Sequence, residues 1–155
     1  MRFFFIIPFL LFFGLTKDLC QCPPTNKKII ETLKKDSEFI FMGTAIEELE
    51  TESAFNTPMY KLKVDSLLKG QNNLRTVIIN QNKARNCSRY FKKGYKYYVI
   101  GNKIDNPKEV YTMTQKEHNK NLEKMIKENI VLETDGCRSF SIRDNLIENY
   151  FSDYN

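Results

Sequence analysis

Cys20-Gln21-Cys22-Pro23-Pro24 is the stretch on which the fold of this chain depends. It supplies two of the four cysteines, and one residue separates the two thiols, so a bond between them would be severely strained. Each therefore needs a distant partner, and Cys87 and Cys137 are the cysteines that remain. Two pairings meet this condition. Either one staples the segment that begins at Cys20 to the middle and to the far end of the domain.

The first sixteen residues have the pattern of a secretory signal peptide. Arg2 gives a basic start, residues 3–13 are mostly apolar, and Gly14 and Thr16 are small residues suited to a cleavage site after Thr16. The apolar run is shorter than the ~20 residues that a bilayer span needs. We predict a signal peptide over residues 1–16, with residue 19 as the latest cut, and no membrane span. The mature protein is expected to be secreted or extracellular, or periplasmic or on the cell surface in a bacterium.

Export makes disulfide bonds the simplest use of four cysteines, because the secretory route is oxidising. Zinc binding is the competing interpretation. One Cys-x-Cys with two isolated cysteines lacks the paired spacing of zinc sites. We therefore expect no free thiol, no metal site of the chain's own and no cofactor.

Composition suits one domain, residues 17–155, which we expect to be a monomer. The 24 basic and 19 acidic residues give a net charge of +5, which falls by one when Arg2 leaves with the leader. Lysines are scattered among glutamates, as on a solvated surface. Tyr95, Tyr97 and Tyr98 are able in principle to stack on bases, but the sequence favours a role in the core and on one sheet face. No nucleic-acid partner is expected.

Catalytic motifs are lacking. His118 is the sole histidine, and it lies in a Lys/Glu-rich helical stretch where an exposed side chain is the ordinary interpretation. No Gly-x-Ser-x-Gly, His-Glu-x-x-His or phosphate-loop pattern occurs. We expect a protein that is not an enzyme.

Apolar alternation predicts a mainly β domain. Residues 37–47 are apolar on both faces, as in a strand packed from two sides, and Gly43 suggests a bulge. Further strands are predicted at 59–68, 74–80, 95–101 and 130–134, with 110–114 as an alternative last strand, and a loop is predicted at 48–57. Helices are predicted at 25–35, capped by Thr25 or Asn26, and at 141–151, capped by Ser141. Residues 115–129 form a helix-like stretch. The fold class that fits is a five-stranded antiparallel barrel like the oligonucleotide/oligosaccharide-binding (OB) fold, with a helix near each end.

The order of these segments resembles the netrin-like domain, whose best-known members are the tissue inhibitors of metalloproteinases. The residues that carry the resemblance are Cys-x-Cys-x-Pro after a leader, then EFIFMGTA (38–45), YKLKVDSLLKG (60–70), TVIINQ (76–81), FKKGYKYYVIG (91–101) and DGCRSF (135–140). The resemblance covers nearly the whole mature chain. It implies a disulfide pairing of Cys20 with Cys87 and of Cys22 with Cys137. A third bond and the cysteine-rich second domain of the animal inhibitors are missing, and residues 108–129 form an apparent insertion.

In the inhibitors that the chain resembles, the α-amino group and carbonyl oxygen of the first cysteine chelate the zinc of the protease. The next side chain enters the specificity pocket. Transferred to this chain, the resemblance implies a wedge that contacts the protease, made of Cys20 as chelator, Gln21 as pocket residue, Cys22 and Pro23, with Arg85 and Asn86 alongside. Cleavage after Thr16 leaves three residues ahead of Cys20 and turns the amine into an amide, which does not bind zinc.

The sequence therefore leaves two alternative functions. The resemblance implies a secreted inhibitor whose partner is a zinc metalloproteinase. The alternative is a secreted binding or structural module of the same fold that docks on another extracellular protein without inhibiting it.

Overall fold

The computed structural model of the chain describes residues 20–49, 58–71, 73–81, 87–106, 123–143 and 145–152. Several predictions fall outside these residues: the leader, positions 50–57 of the predicted loop, the alternative strand 110–114, positions 108–122 of the insertion, and the side chains of Arg85, Asn86 and His118.

Each of the five predicted strands is found, with ends that differ by no more than two residues. The elements of the described chain are α1 (Lys27–Asp36), β1 (Phe39–Leu49), β2 (Met59–Lys69), β3 (Thr76–Asn80), β4 (Lys96–Lys103), α2 over residues 123–128, β5 (Val131–Glu133), β6 (Ser139–Ser141) and α3 (Asn145–Phe151).

The first five strands close into a barrel, as the alternation predicts. β1 pairs with both β2 and β4, β2 pairs with β3, and β5 joins β3 to β4. The β3–β5 pairing, with Ile78 beside Val131, is parallel, so the expectation of a wholly antiparallel barrel is wrong at this pairing. A closed ring with an odd number of strands has a simple topological requirement: at least one neighbouring pair must run in the same direction.

β1 is buried on both faces, as its sequence predicts. Phe39, Phe41 and Ala45 belong to the cluster that fills the barrel, whereas Ile40 lies in a second cluster outside it. The register with β2 shifts between Met42 and Gly43, which is the predicted bulge. A Cβ atom at Gly43 would lie 2.8 Å from the carbonyl oxygen of Lys63, so only glycine allows β2 to come this close.

α1 and α3 cover the outer face of β1 and β4. Ile30 of α1 and Phe151 of α3 are buried there, and the Phe151 ring stacks on Tyr98 with 4.4 Å between centroids. Asn26 caps α1, since its Oδ1 accepts a hydrogen bond from the backbone of Ile29. Within the described residues, no helix has both the length and the apolar character needed to cross a bilayer.

The prediction that Ser141 caps the last helix is wrong. Ser141 belongs to the short strand β6, where it pairs with Tyr97, and α3 begins at Asn145. β6 continues along the edge of β4 where β5 leaves it, and residues 134–138 between the two strands carry Cys137. Backbone pairing with β4, and not a local helix signal, sets the structure at Ser141.

Candidate functional site

Two disulfides fix the segment that begins at Cys20 to the barrel. Cys20 is bonded to Cys87 and Cys22 to Cys137, across sequence separations of 67 and 115 residues. These are the two pairs that the family resemblance implies. All four cysteines lie in the described part of the chain, and none is free.

The two disulfides touch each other. The Sγ atoms of Cys20 and Cys22 are 3.7 Å apart, and with the Sγ atom of Cys137 they form a cluster in which all three lie within 4.8 Å of one another. Zinc takes thiolates as ligands. Because each of these sulfurs is already bonded to another sulfur, the cluster offers no thiolate in this form of the protein.

The segment itself is exposed along its whole length. Residues 20–26 have no regular secondary structure and each of them is classed as exposed. Pro23 and Pro24 restrict the backbone by fixing φ, and Asn26 continues directly into α1. The segment is thus held at two cysteines and at a helix start, while the residues between these points remain exposed to solvent.

Gly136 brings the two disulfide loops together. Its backbone N–H donates to the carbonyl oxygen of Cys87 at 2.5 Å. A Cβ atom here would lie 2.6 Å from that oxygen, so any larger residue forces the loops apart. The turn is completed by Asp135, whose Oδ1 accepts from the backbone of Cys137 at 2.8 Å.

A buried glutamine holds the chain that follows Cys87. The Gln81 side chain is fully buried. Its Nε2 donates to the carbonyl oxygen of Arg89 at 2.8 Å, and its Oε1 accepts from the Arg89 backbone N–H at 2.7 Å. This two-point contact fixes the backbone of Arg89 in the same way that a neighbouring strand would.

Arg89 carries a partly desolvated charge next to the disulfides. Its Nη2 donates to the carbonyl oxygen of Gly136 at 3.3 Å, and its Nε is buried without a hydrogen-bond partner. Burial lowers the pKa of the Arg89 guanidinium, although the group remains a cation at physiological pH. In contrast, Arg138, which directly follows Cys137, pairs with Asp135 at 3.5 Å.

A shallow pocket of about 210 Å³ opens beside the sulfur atoms. The segment, the chain after Cys87 and the turn between β5 and β6 all contribute to its walls. Its lining residues are Cys20, Cys22, Cys87, Ser88, Arg89 and Gly136.

Two of the tyrosines considered for base stacking are buried. Tyr97 lies in the barrel interior and Tyr98 beneath α3, with exposed fractions of 5% and 8%, so both serve the core as expected. Tyr95 is half-buried, with Lys92 and Arg143 each 4.6 Å from its ring centre. A hydrogen bond from Lys92, then the charges of Lys92 and Arg143, lower the pKa of Tyr95.

The structure brings together Cys20, Gln21, Cys22 and Pro23 of the predicted wedge, while Arg85 and Asn86 lie outside the described residues. Sequence reasoning missed Ser88, Arg89 and Gly136 as parts of the site. Their closeness in sequence to Cys87 and Cys137 is the signal that points to them. Neither the protein-family models nor the curated proteins include a match to this chain. Its function must therefore be argued from the site.

Proposed function

We propose that this chain is a secreted docking protein whose clamped N-terminal segment inserts into a partner, and that the partner is a zinc metalloproteinase. The observation that carries the proposal is the combination of solvent exposure and double anchoring at residues 20–24. Ordering a flexible terminus on binding costs affinity. A segment already held by two covalent bonds avoids most of that cost.

The proposed activity, inhibition of a zinc metalloproteinase, comes from the family resemblance. A netrin-like inhibitor presents the α-amino nitrogen and carbonyl oxygen of its first cysteine to the protease zinc. An α-amino group has a pKa near 7.7–8.0, so the neutral form that binds zinc is readily available at neutral pH. In this chain Cys20 is the chelating residue and Gln21 the side chain that enters the specificity pocket, provided that Cys20 begins the mature protein.

The disulfide bonds are consistent with the extracellular location that this proposal requires. Two disulfides are compatible with an extracellular location. Export through a signal peptide ending between residues 16 and 19 is part of the proposal. N-terminal sequencing of the exported protein tests it, because a terminus at Cys20 supports inhibition and a terminus at Lys17 opposes it.

Inhibition is best tested with a single chemical difference. A form that begins at Cys20 is compared with the same form after acetylation of its α-amino group, against a panel of zinc metalloproteinases. We expect inhibition by the free amine only, because acetylation leaves the fold and the disulfides intact but removes the zinc ligand. Equal inactivity of both forms rejects zinc chelation.

The second candidate is a docking module that does not inhibit. Tyr90 favours it, because this side chain is 68% exposed and is the exposed large hydrophobic residue of the described chain. Exposed tyrosines are enriched in protein interfaces. A form that begins at Lys17, inhibits no protease and still binds an extracellular protein through Tyr90 would replace the inhibitor proposal with this one.

A further inference from the structure

We infer that the pocket beside the two disulfides binds a carboxylate side chain of a partner protein, and that Arg89 is the residue that recognises it. The inference deepens the proposed docking function, because the same segment that a partner covers forms one wall of this pocket. It depends on that proposal for the identity of the partner, but not for the chemistry of the site.

The position of Arg89 is set by several independent contacts. The buried Gln81 holds its backbone at both the N–H and the C=O group. Two residues before it, Cys87 is joined to Cys20 and accepts a hydrogen bond from Gly136. The side chain is restrained as well, because Nη2 donates to the carbonyl oxygen of Gly136, and a restrained guanidinium loses less conformational freedom when it binds a ligand.

The charge of Arg89 is not matched inside the described part of the protein. No carboxylate of those residues forms an ion pair with it, and its guanidinium contacts one acceptor, the carbonyl oxygen of Gly136. The Nε atom is buried without a partner. A half-buried cation with an unpaired N–H is costly in isolation and gains more than an exposed one from an ionised acceptor.

Arg89 is one of the residues that line the pocket, so a ligand bound there lies next to its side chain. Its volume of about 210 Å³ leaves room for the end of an aspartate or glutamate side chain, and its walls include both disulfides. Sulfur walls contribute contact without competing for hydrogen bonds. A partner that covers residues 20–23 would bring its side chains to the mouth of the pocket and exclude water from it.

A carboxylate fits better than a phosphate or sulfate. The guanidinium is planar and matches the two oxygens of a carboxylate. Among the described residues that line the pocket, Arg89 is the one cation, and one positive charge balances one negative charge. A doubly charged oxyanion would keep an unbalanced charge in a partly desolvated site.

The test uses the ¹⁵N-labelled mature chain and needs no protease. The Nε–Hε NMR signal of Arg89, assigned with an Arg89→Lys variant, is followed while N-acetyl-glutamate amide is added at constant ionic strength. N-acetyl-glutamine amide is the neutral control, and inorganic phosphate tests the other oxyanion class. The signal of Arg138, already paired with Asp135, is the internal control.

We expect a saturable shift of the Arg89 signal with the glutamate derivative and none with the glutamine derivative. Arg89→Gln should weaken binding about tenfold or more, as loss of a charged hydrogen bond of ~1.5–3 kcal/mol implies. Arg89→Lys keeps the charge but lacks the planar two-point donor geometry of the guanidinium and should bind weakly; its unfolding midpoint is measured as well, so that loss of binding is separated from loss of the fold. Lack of saturation, an equal response to the glutamine derivative, or tighter binding of phosphate would overturn the inference.

The failure of this inference is distinguishable from failure of the proposed function. Carboxylate binding is measured on the free protein, whereas zinc chelation is measured by comparing free and acetylated Cys20. Carboxylate binding without inhibition would leave Arg89 as an anchor for a different partner. Inhibition without carboxylate binding would retain the wedge and remove Arg89 from it.

Discussion

The Sγ atoms of Cys20 and Cys22 lie in contact at 3.7 Å, although one residue is bonded to Cys87 in the middle of the chain and the other to Cys137 towards its end. Through this contact, two loops that are far apart in sequence support one short segment. Cys87 follows β3, and Cys137 lies in the turn between β5 and β6. The exposed segment is therefore positioned by the barrel.

Loss of the longer disulfide should destabilise the protein strongly. Replacing Cys22 and Cys137 by alanine opens a loop of 115 residues, and removal of a native disulfide from a small secreted domain typically costs ~2–5 kcal/mol. Urea unfolding of the double variant should show a lower midpoint. The matched double variant at Cys20 and Cys87 should lose a similar amount, because its loop is only moderately shorter. An unchanged midpoint in both would contradict the structural role assigned to these bonds.

Gly136→Ala should weaken the junction of the two disulfide loops. The new methyl group would meet the carbonyl oxygen of Cys87 at 2.6 Å and disturb the hydrogen bond that this oxygen accepts. We expect a loss of ~1–3 kcal/mol in the free energy of unfolding, typical of overpacking. Ser88→Ala is the control, since Ser88 is an exposed residue of the same pocket and its change should stay within ~0.5 kcal/mol. Equal stability of the two variants would contradict the close approach of Gly136 to the carbonyl oxygen of Cys87.

Gln81→Leu tests the contact that fixes Arg89. The substitution leaves the N–H and C=O groups of Arg89 without their partners, and each unpaired buried group costs ~1–3 kcal/mol. We expect a lower free energy of unfolding and faster hydrogen exchange at the Arg89 amide. The same substitution at the exposed Gln71 is the control and should change neither quantity. If the Arg89 amide stayed protected in Gln81→Leu, another acceptor would have to hold it.

The stability of the fold should decrease with pH above 10. Burial first, and then the charge of Glu48, raises the pKa of Tyr60 from 10.0 to about 12, while a backbone hydrogen bond from Phe91 opposes the shift. In the unfolded chain Tyr60 ionises near 10, so the folded state holds the extra proton between these values. The contribution is therefore complete below pH 10 and is lost as the pH rises to about 12. Denaturant midpoints measured between pH 9 and 12 (a range set by these two pKa values) provide the test.

Tyr60→Phe isolates this effect from the titration of lysines. The phenylalanine keeps the ring contact with Phe91, whose centroid lies 5.2 Å away, but carries no ionisable group. The variant should show a shallower fall in stability over the same pH range. Parallel curves for the two proteins would assign the pH dependence to other groups.

The barrel could be predicted from the sequence because β1, which has a paired strand on each side, is apolar on both faces. Phe39 and Phe41 on one face and Ile40 on the other require packing on both sides, and the clusters inside and outside the barrel provide it. The parallel pairing of β3 with β5 was not foreseen, because it follows from closing an odd number of strands and not from either strand alone. β6 was missed for a similar reason, since Ser139–Ser141 is too short to show alternation and depends on the edge of β4.

The candidate functional site could be predicted from the sequence only in part. The anchoring of the segment follows from the spacing of Cys20 and Cys22, and the family resemblance implied their partners. For Arg89 the sequence offers only its closeness to Cys87, because its hydrogen bonds are made with Gln81 eight residues earlier and with Gly136 far along the chain. Contacts between such distant residues exist only once the barrel is closed, which is why composition and periodicity do not contain them.

The position of Cys137 between β5 and β6 also decides how the molecule responds to mechanical load. A pull applied between Cys20 and α3 passes from Cys22 to Cys137 through their disulfide bond, so the barrel strands between these two cysteines are shielded from extension. In the part of the chain that the structure describes, β6 and α3 are the elements beyond the last disulfide, and they can detach without breaking it. In a protein anchored to a partner by its first residues, tension would therefore detach the C-terminal helix and leave the anchor in place.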